Sequence, residues 1–196
     1  MPLLSRKGIE LPTSPIRKLV VFSEEAKAKG VEVLHLNIGQ PDIAAPKEAI
    51  VAVTSSNLDL LPYGPSQGTL AYRKKLVDYY SKHHISLVPD DIIVTTGASE
   101  ALTFALNVIC DAGDEIIIPE PFYANYNGFA SAASVSVVPV ISEFHSQFQL
   151  PALENISEKI TAKTRAILLC NPSNPTGYVY SKKEINTLCE LAIKHD

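Results

Sequence analysis

The spacing of apolar and polar positions changes character along this chain. Residues 70–82 carry Leu70, Leu76 and the pair Tyr79-Tyr80 at roughly helical intervals, which predicts a helix. From residue 91 short β-rich runs alternate with helical ones. Asp91 to Thr95 predicts a strand, Ser99 to Ile109 a helix, Glu115 to Ile118 a strand and Ala124 to Ala133 a helix. Val135 to Val140, Leu153 to Ile160 and Arg165 to Leu169 continue the alternation, and a last helix runs from Ser181 to at least Lys194. Short strands separated by helices predict an α/β layer with a largely parallel sheet.

Turn and cap residues punctuate this pattern. Residues 1–13 have little periodicity and read as an N-terminal arm. Ser14 and Pro15 suit the N-cap and first position of a helix, and Gly30 suits its close, after Lys27 and Lys29 have complemented its negative end. A short strand is expected from Val31 to Leu36, and Pro46 is placed to begin another helix. Ser181-Lys182-Lys183-Glu184 has the spacing of a capping box.

The 196 residues suffice for one good-sized core, and the composition is that of an ordinary globular chain. Its formal charge of −4 is unaccompanied by a concentrated basic stripe, so nucleic acid is not an expected partner. Met1 to Lys7 lacks the apolar core of a signal peptide, and no apolar run is long enough to span a bilayer. A cytoplasmic protein is therefore expected. Cys110, Cys170 and Cys189 are unclustered and odd in number, which suits apolar packing in a reducing compartment. The five histidines show no metal-like spacing, so no metal site is expected.

Three segments carry candidate chemistry. Asn171-Pro172-Ser173-Asn174-Pro175-Thr176-Gly177 follows the strand-like run 166–169, at the end of a strand where ligands bind in open α/β sheets. Each proline fixes its own φ and biases the preceding residue away from helix, so the Asn171 and Asn174 amides are held in extended or turn geometry. A plain turn satisfies the local backbone equally well. Thr95-Thr96-Gly97-Ala98-Ser99-Glu100-Ala101 places a glycine and small residues where a strand ends and a helix begins, the form of an anion site built from helix-start amides. Ser99 as a simple N-cap is the competing reading. The chain has neither Gly-x-Gly-x-x-Gly nor Gly-x-x-x-x-Gly-Lys, so a phosphorylated cofactor smaller than a dinucleotide or nucleoside triphosphate fits better. Pro119 to Tyr126 then offers Phe122, Tyr123 and Tyr126, either to stack on a flat heteroaromatic ring or to serve as core and rim of the next helix.

In order, Asn37-Ile38-Gly39-Gln40-Pro41-Asp42, Tyr63-Gly64-Pro65, Gly97-Ala98-Ser99-Glu100-Ala101, Pro121-Phe122-Tyr123 and Asn174-Pro175-Thr176-Gly177 resemble the amino-terminal half of the class I and II aminotransferases. The resemblance covers residues 14–196 and implies a fold-type I large domain, a mostly parallel sheet flanked by helices, incomplete in this chain. It implies the arm at 1–13, a helix and strand at 14–45 contributing to a small domain, and the first part of the large domain at 46–196. The implied cofactor is pyridoxal 5′-phosphate. Ala98 and Ser99 would hold its phosphate, Tyr123 would stack on its ring, and Asn174 would donate to its phenolic oxygen. Gly39 would lie against the substrate carboxylate, and Tyr63 would reach the phosphate of a neighbouring subunit in a homodimer. The implied substrates are an amino acid of aspartate, alanine or aromatic type and a 2-oxo acid.

The resemblance also implies residues carboxyl-terminal to this segment: an aspartate for the pyridine nitrogen, a tyrosine, the Schiff-base lysine and a carboxylate-binding arginine. No catalytic residue is thus expected among 1–196, and Lys182 reads as an exposed helix-start lysine. In the resembling fold the strand matching 91–95 is separated from the others by strands later in sequence, so a gap in the sheet is expected. The carboxyl-terminal half would come from a second chain or lie outside this sequence. A lyase or synthase of the same fold, a non-catalytic cofactor-binding module, and an inactive fragment are the alternatives.

Overall fold

The computed structural model describes residues 3–14, 17–56, 59, 60 and 62–195. The chain divides into two compact units, one of Met1–Val33 with Ala101–Asp196 and one of Leu34–Glu100.

The first unit is built on a parallel sheet in the order β2-β1-β3, with β1 at Glu115–Glu120, β2 at Ser136–Ile141 and β3 at Thr164–Ile167. Its centre is the run Ile116-Ile117-Ile118, each at most 1% exposed. Strand alternation sends these side chains to opposite faces. Ile116 and Ile118 pack with Leu106 of α5 (Ala98–Ile109) and with Tyr126 and Ala130 of α6 (Tyr126–Ala132). Ile117 packs with Val140, with Ile156 of α7 (Leu153–Ser157), and with Leu188 and Leu191 of α8 (Lys182–Lys194). Helices therefore cover both faces, which is why β1 is a continuous apolar run rather than an alternating one. Burying each isoleucine contributes about 1.5–3 kcal/mol.

Polar contacts fix the ends of these elements. Before β1, the Asp114 carboxylate accepts from the Asp111 amide at 2.8 Å and from Arg165 Nε of β3 at 2.9 Å. The amide bond first, then the guanidinium, hold this carboxyl below its usual range. The capping box of α8 is present: Ser181 Oγ accepts from the Glu184 amide at 3.2 Å, and Glu184 accepts from the Ser181 amide at 2.7 Å. Glu184 also accepts from the Leu150 amide and the Tyr178 hydroxyl, tying α8 to the segment before α7.

The segment expected as an arm contains a short helix. Arg6–Glu10 forms the short helix α1, capped by Ser5, whose Oγ accepts from the Gly8 amide at 3.0 Å. The local cap supplies what apolar periodicity does not signal. The expected helix start at Pro15 lies outside the described residues. A 3-10 turn at Arg17–Leu19 leads into α2 (Val20–Ala28), which ends at Gly30 as expected, with the Gly30 amide donating to the Lys27 carbonyl at 2.9 Å.

The second unit contains α3 (Lys47–Thr54) and α4 (Leu70–Ser81). Pro46 is the N-cap of α3 rather than its first residue. Among the described residues of this unit only Arg73 and Ile92 are buried, so polar bonds take the place of a core. Arg73 donates to the Gly68 and Pro89 carbonyls and to Asp90. Gly68 has φ +91°, and a Cβ there would meet Val94 Cγ2 at 2.6 Å, so the position admits only glycine.

Two expected strands do not form. Residues 92–95 leave a 3-10 turn in extended form, Ile92 at φ −117° and ψ 124°, but join no ladder; Val94 donates instead to the Gln67 carbonyl at 3.0 Å. Val31–Leu36 is likewise outside any sheet. A β-prone run becomes a strand only where a neighbour completes its hydrogen bonds. No helix among the described residues is long and apolar enough to cross a membrane.

Candidate functional site

Two loops at the carboxyl ends of adjacent parallel strands meet in the first unit. Beyond β1 the chain passes the cis bond Glu120–Pro121 to Phe122, Tyr123 and Tyr126. Tyr123 is half-buried, its hydroxyl accepts from Asn125 Nδ2 at 2.7 Å, and the Tyr126 ring stands edge-on to it at 5.4 Å and 88°. Tyr126 is buried, and the Cys170 side chain packs against the cluster it belongs to. Burial first, then that thiol, push the Tyr126 phenol well above its ordinary value, so it remains protonated. Cys170 Sγ donates in turn to the Pro172 carbonyl at 3.3 Å. The aromatic loop after β1 thus packs beside the start of the Asn-Pro loop after β3.

That second loop uses its two asparagines differently. Asn171 Oδ1 accepts from the Tyr180 amide at 3.1 Å, the Ser173 amide donates to the Tyr178 carbonyl at 2.8 Å, and the Gly177 amide donates to the Ser173 carbonyl at 2.8 Å. Asn171 therefore holds the loop closed. Asn174 is exposed, and its side-chain amide has no hydrogen-bond partner among the described residues. Asn171 spends its amide oxygen on the Tyr180 amide, whereas Asn174 has both its oxygen and its two N–H donors to give a ligand.

The remaining expected site residues belong to the second unit. Ala98 and Ser99 are the first two residues of α5, so Ser99 lies inside the helix and is not its N-cap. Gly97, at φ +81°, makes the turn into it, and no atom lies within 4 Å of where a Cβ would stand. Thr95 Oγ1 donates to the Gly97 carbonyl at 3.0 Å, and Glu100 accepts from the Thr96 amide at 2.6 Å. The helix start is thereby preformed with small residues and an open approach, the form that suits an anion. Gly39 sits in a three-residue turn closed by the Gln40 amide on the Ile38 carbonyl at 3.0 Å, again with open space at its Cβ position. Tyr63 is fully exposed.

Residues 31–196 match the family Aminotransferase class I and II. The chain belongs to that family. It is 33% identical over 98% of its length to an aspartate aminotransferase of Bacillus subtilis (strain 168), of which it covers 49%. Among solved structures it resembles an alanine aminotransferase from Pyrococcus furiosus, with TM-score 0.89, 32% identity, and coverage of 98% of this chain and 50% of that one. The aspartate aminotransferase from Thermus thermophilus with maleate gives TM-score 0.90 at 30% identity, covering all of this chain (100%) and 52% of that one. The chain spans about half the length of the curated relatives it matches.

Class I and II aminotransferases depend on pyridoxal 5′-phosphate. Within the first unit the residues present suit such a group: an amide at Asn174 without a partner among the described residues and a half-buried ring at Tyr123 whose hydroxyl is already held. The sequence reading did not single out Asn125 or Glu100. Glu100 could have been found from its first-turn position, where glutamate reaches back to a preceding amide. Asn125 carries no such signal, because its bond to Tyr123 depends on the loop's conformation. Cys170, read from sequence as packing, does pack against the Ile116–Ile118 cluster, and its thiol donates to the Pro172 carbonyl of its own loop.

Proposed function

We propose that this chain is the cofactor-binding part of a pyridoxal-phosphate-dependent aminotransferase that moves an amino group from an amino acid to a 2-oxo acid. The amino acid is of the aspartate, alanine or aromatic type, as supported by the aspartate and alanine aminotransferases among its relatives. The observation that carries the reading is the contrast between Asn171, whose Oδ1 is taken by the Tyr180 amide of its own loop, and Asn174, whose whole side-chain amide is left for a ligand.

When bound, the cofactor supplies an electron sink for the carbanion formed beside the amino nitrogen. Asn174 donates a hydrogen bond to the phenolic oxygen of its ring, and Tyr123 stacks on the ring face. Ala98 and Ser99 hold the phosphate at the positive end of α5. Gly39, without a side chain, lets the substrate carboxylate approach the backbone. Tyr63, fully exposed, serves the phosphate site of a partner subunit in a homodimer. In this reading the small domain takes residues 14–45, the large domain starts at 46, and 1–13 is an arm.

The lysine that joins the cofactor covalently is, in this proposal, none of this chain's lysines. Lys182, the nearest in sequence to Asn174, is the exposed first residue of α8. Chemistry then requires the family's carboxyl-terminal half, from the same polypeptide or a second chain. The unpaired extended segment 92–95 and the many exposed apolar residues, among them Val21, Phe22, Val53 and Val108, support such a completion. The three unbridged cysteines support a cytoplasmic setting.

Equilibrium dialysis of the complete protein against pyridoxal phosphate tests the assignment. Ser99→Ala should weaken binding about tenfold to a hundredfold through loss of a charge-assisted hydrogen bond, with little change in affinity for pyridoxal lacking the phosphate. Failure of the unaltered protein to bind pyridoxal phosphate would overturn the proposal.

A further inference from the structure

Asn125 stands at the N-cap of α6, where an asparagine ordinarily accepts a hydrogen bond from an amide two or three residues on. It makes no such bond. Its backbone is already αR, at φ −73° and ψ −12°, and its Nδ2 donates to the Tyr123 hydroxyl at 2.7 Å. A residue type suited to capping has been diverted to the tip of an aromatic ring.

The geometry of a phenol gives that diversion a purpose. The hydroxyl lies on the ring's long axis, the line through Cβ and Cγ. A bond to it fixes the direction of that axis but leaves rotation about it open. The Tyr126 ring, perpendicular to Tyr123 at 88° and 5.4 Å, opposes that rotation. Tyr126 is itself held by burial in the cluster of Ile116, Ile118 and Ala130, against which Cys170 packs. Direction and rotation together define the plane of the Tyr123 ring, and the two restraints come from different residues.

We propose that Asn125 is a positioning residue for the cofactor, acting through the Tyr123 hydroxyl to hold that ring parallel to the group it stacks on. The inference rests on the assignment of Tyr123 as the stacking residue. Asn125 itself touches neither cofactor nor substrate in this account.

Asn125→Ser separates positioning from capping, because serine is a good N-cap but too short to reach the phenol. In the complete protein, Asn125→Ser, Tyr123→Phe and the double variant are compared by three measurements. These are the dissociation constant for pyridoxal phosphate, the circular dichroism band of the bound cofactor, and the thermal midpoint of the cofactor-free protein. Each single variant should raise the dissociation constant about three- to tenfold and reduce the dichroism band, with the cofactor-free midpoint nearly unchanged for Asn125→Ser. The double variant should lose no more than either single one, since both remove the same bond. Two results overturn the inference while leaving the functional reading intact: unchanged affinity and dichroism in Asn125→Ser, or losses that simply add in the double variant. Absence of pyridoxal phosphate binding by the unaltered protein overturns both.

Discussion

Asn171 and Asn174 share a sequence context, each followed by proline, yet the structure gives them opposite duties. Asn171 satisfies the Tyr180 amide, and Asn174 has no partner among the described residues. Replacing Asn171 by alanine should leave that amide unsatisfied and cost about 1–2 kcal/mol of stability, read as a lower denaturant midpoint. Replacing Asn174 should leave the midpoint nearly unchanged and shift the pH titration of the bound cofactor's absorbance. The reverse pattern would exchange their roles. The Asn-Pro turn was visible in the sequence, but which asparagine is left for a ligand was not, because the partner of Asn171 lies nine residues on, after a loop whose closure depends on Ser173, Gly177 and Tyr178. For the same reason Asn125 went unmarked beside Tyr123, whose aromatic character alone was legible.

Elements whose signals are local were the most legible. The capping box of α8 and the glycine closing α2 stand where the sequence puts them. So do the three strands of the sheet and the helices between them, within a few residues. Residues 91–95 and 31–36 have the same β-prone composition as β1, yet remain outside the sheet, since pairing is a property of two segments and only one is written in the run itself. The cross-strand tie of Asp114 to Arg165 was equally invisible, the partners being 51 positions apart. Its consequence is a pH dependence with a definite sign. The Asp114 carboxyl is held below its ordinary value by the Asp111 amide and by Arg165. Its contribution is therefore complete above the unfolded-state value of about 4 and is lost as pH falls through the lower folded-state value. The stability of the complete protein to denaturant should thus fall progressively below about pH 4, and Asp114→Asn should flatten that part of the profile while lowering stability at neutral pH. An unaltered acid limb in the variant would show that the pair contributes nothing.

Across the whole molecule, burial is concentrated in the first unit. Ile116, Ile117 and Ile118 anchor two apolar clusters on opposite faces of one sheet, whereas the second unit buries only Arg73 and Ile92 among its described residues. The fold class followed from the alternation of strand and helix, and the family from five motifs in order. The contribution of the structure is the arrangement inside the first unit. Two loops at the carboxyl ends of neighbouring strands pack beside each other at the cluster that holds Tyr126, with Cys170 against it, a restrained ring on one loop and an amide without a partner among the described residues on the other. The central claim is that this arrangement serves amino transfer, and isotope transfer tests it most directly. The complete protein, supplied with pyridoxal phosphate, nitrogen-15-labelled aspartate or alanine and an unlabelled 2-oxo acid, should pass the label to the amino acid formed from that oxo acid. The transfer should require the cofactor and fall sharply in Asn174→Ala. Release of the label as ammonia, or no cofactor-dependent movement of label from any of the three amino-acid types, would contradict the account.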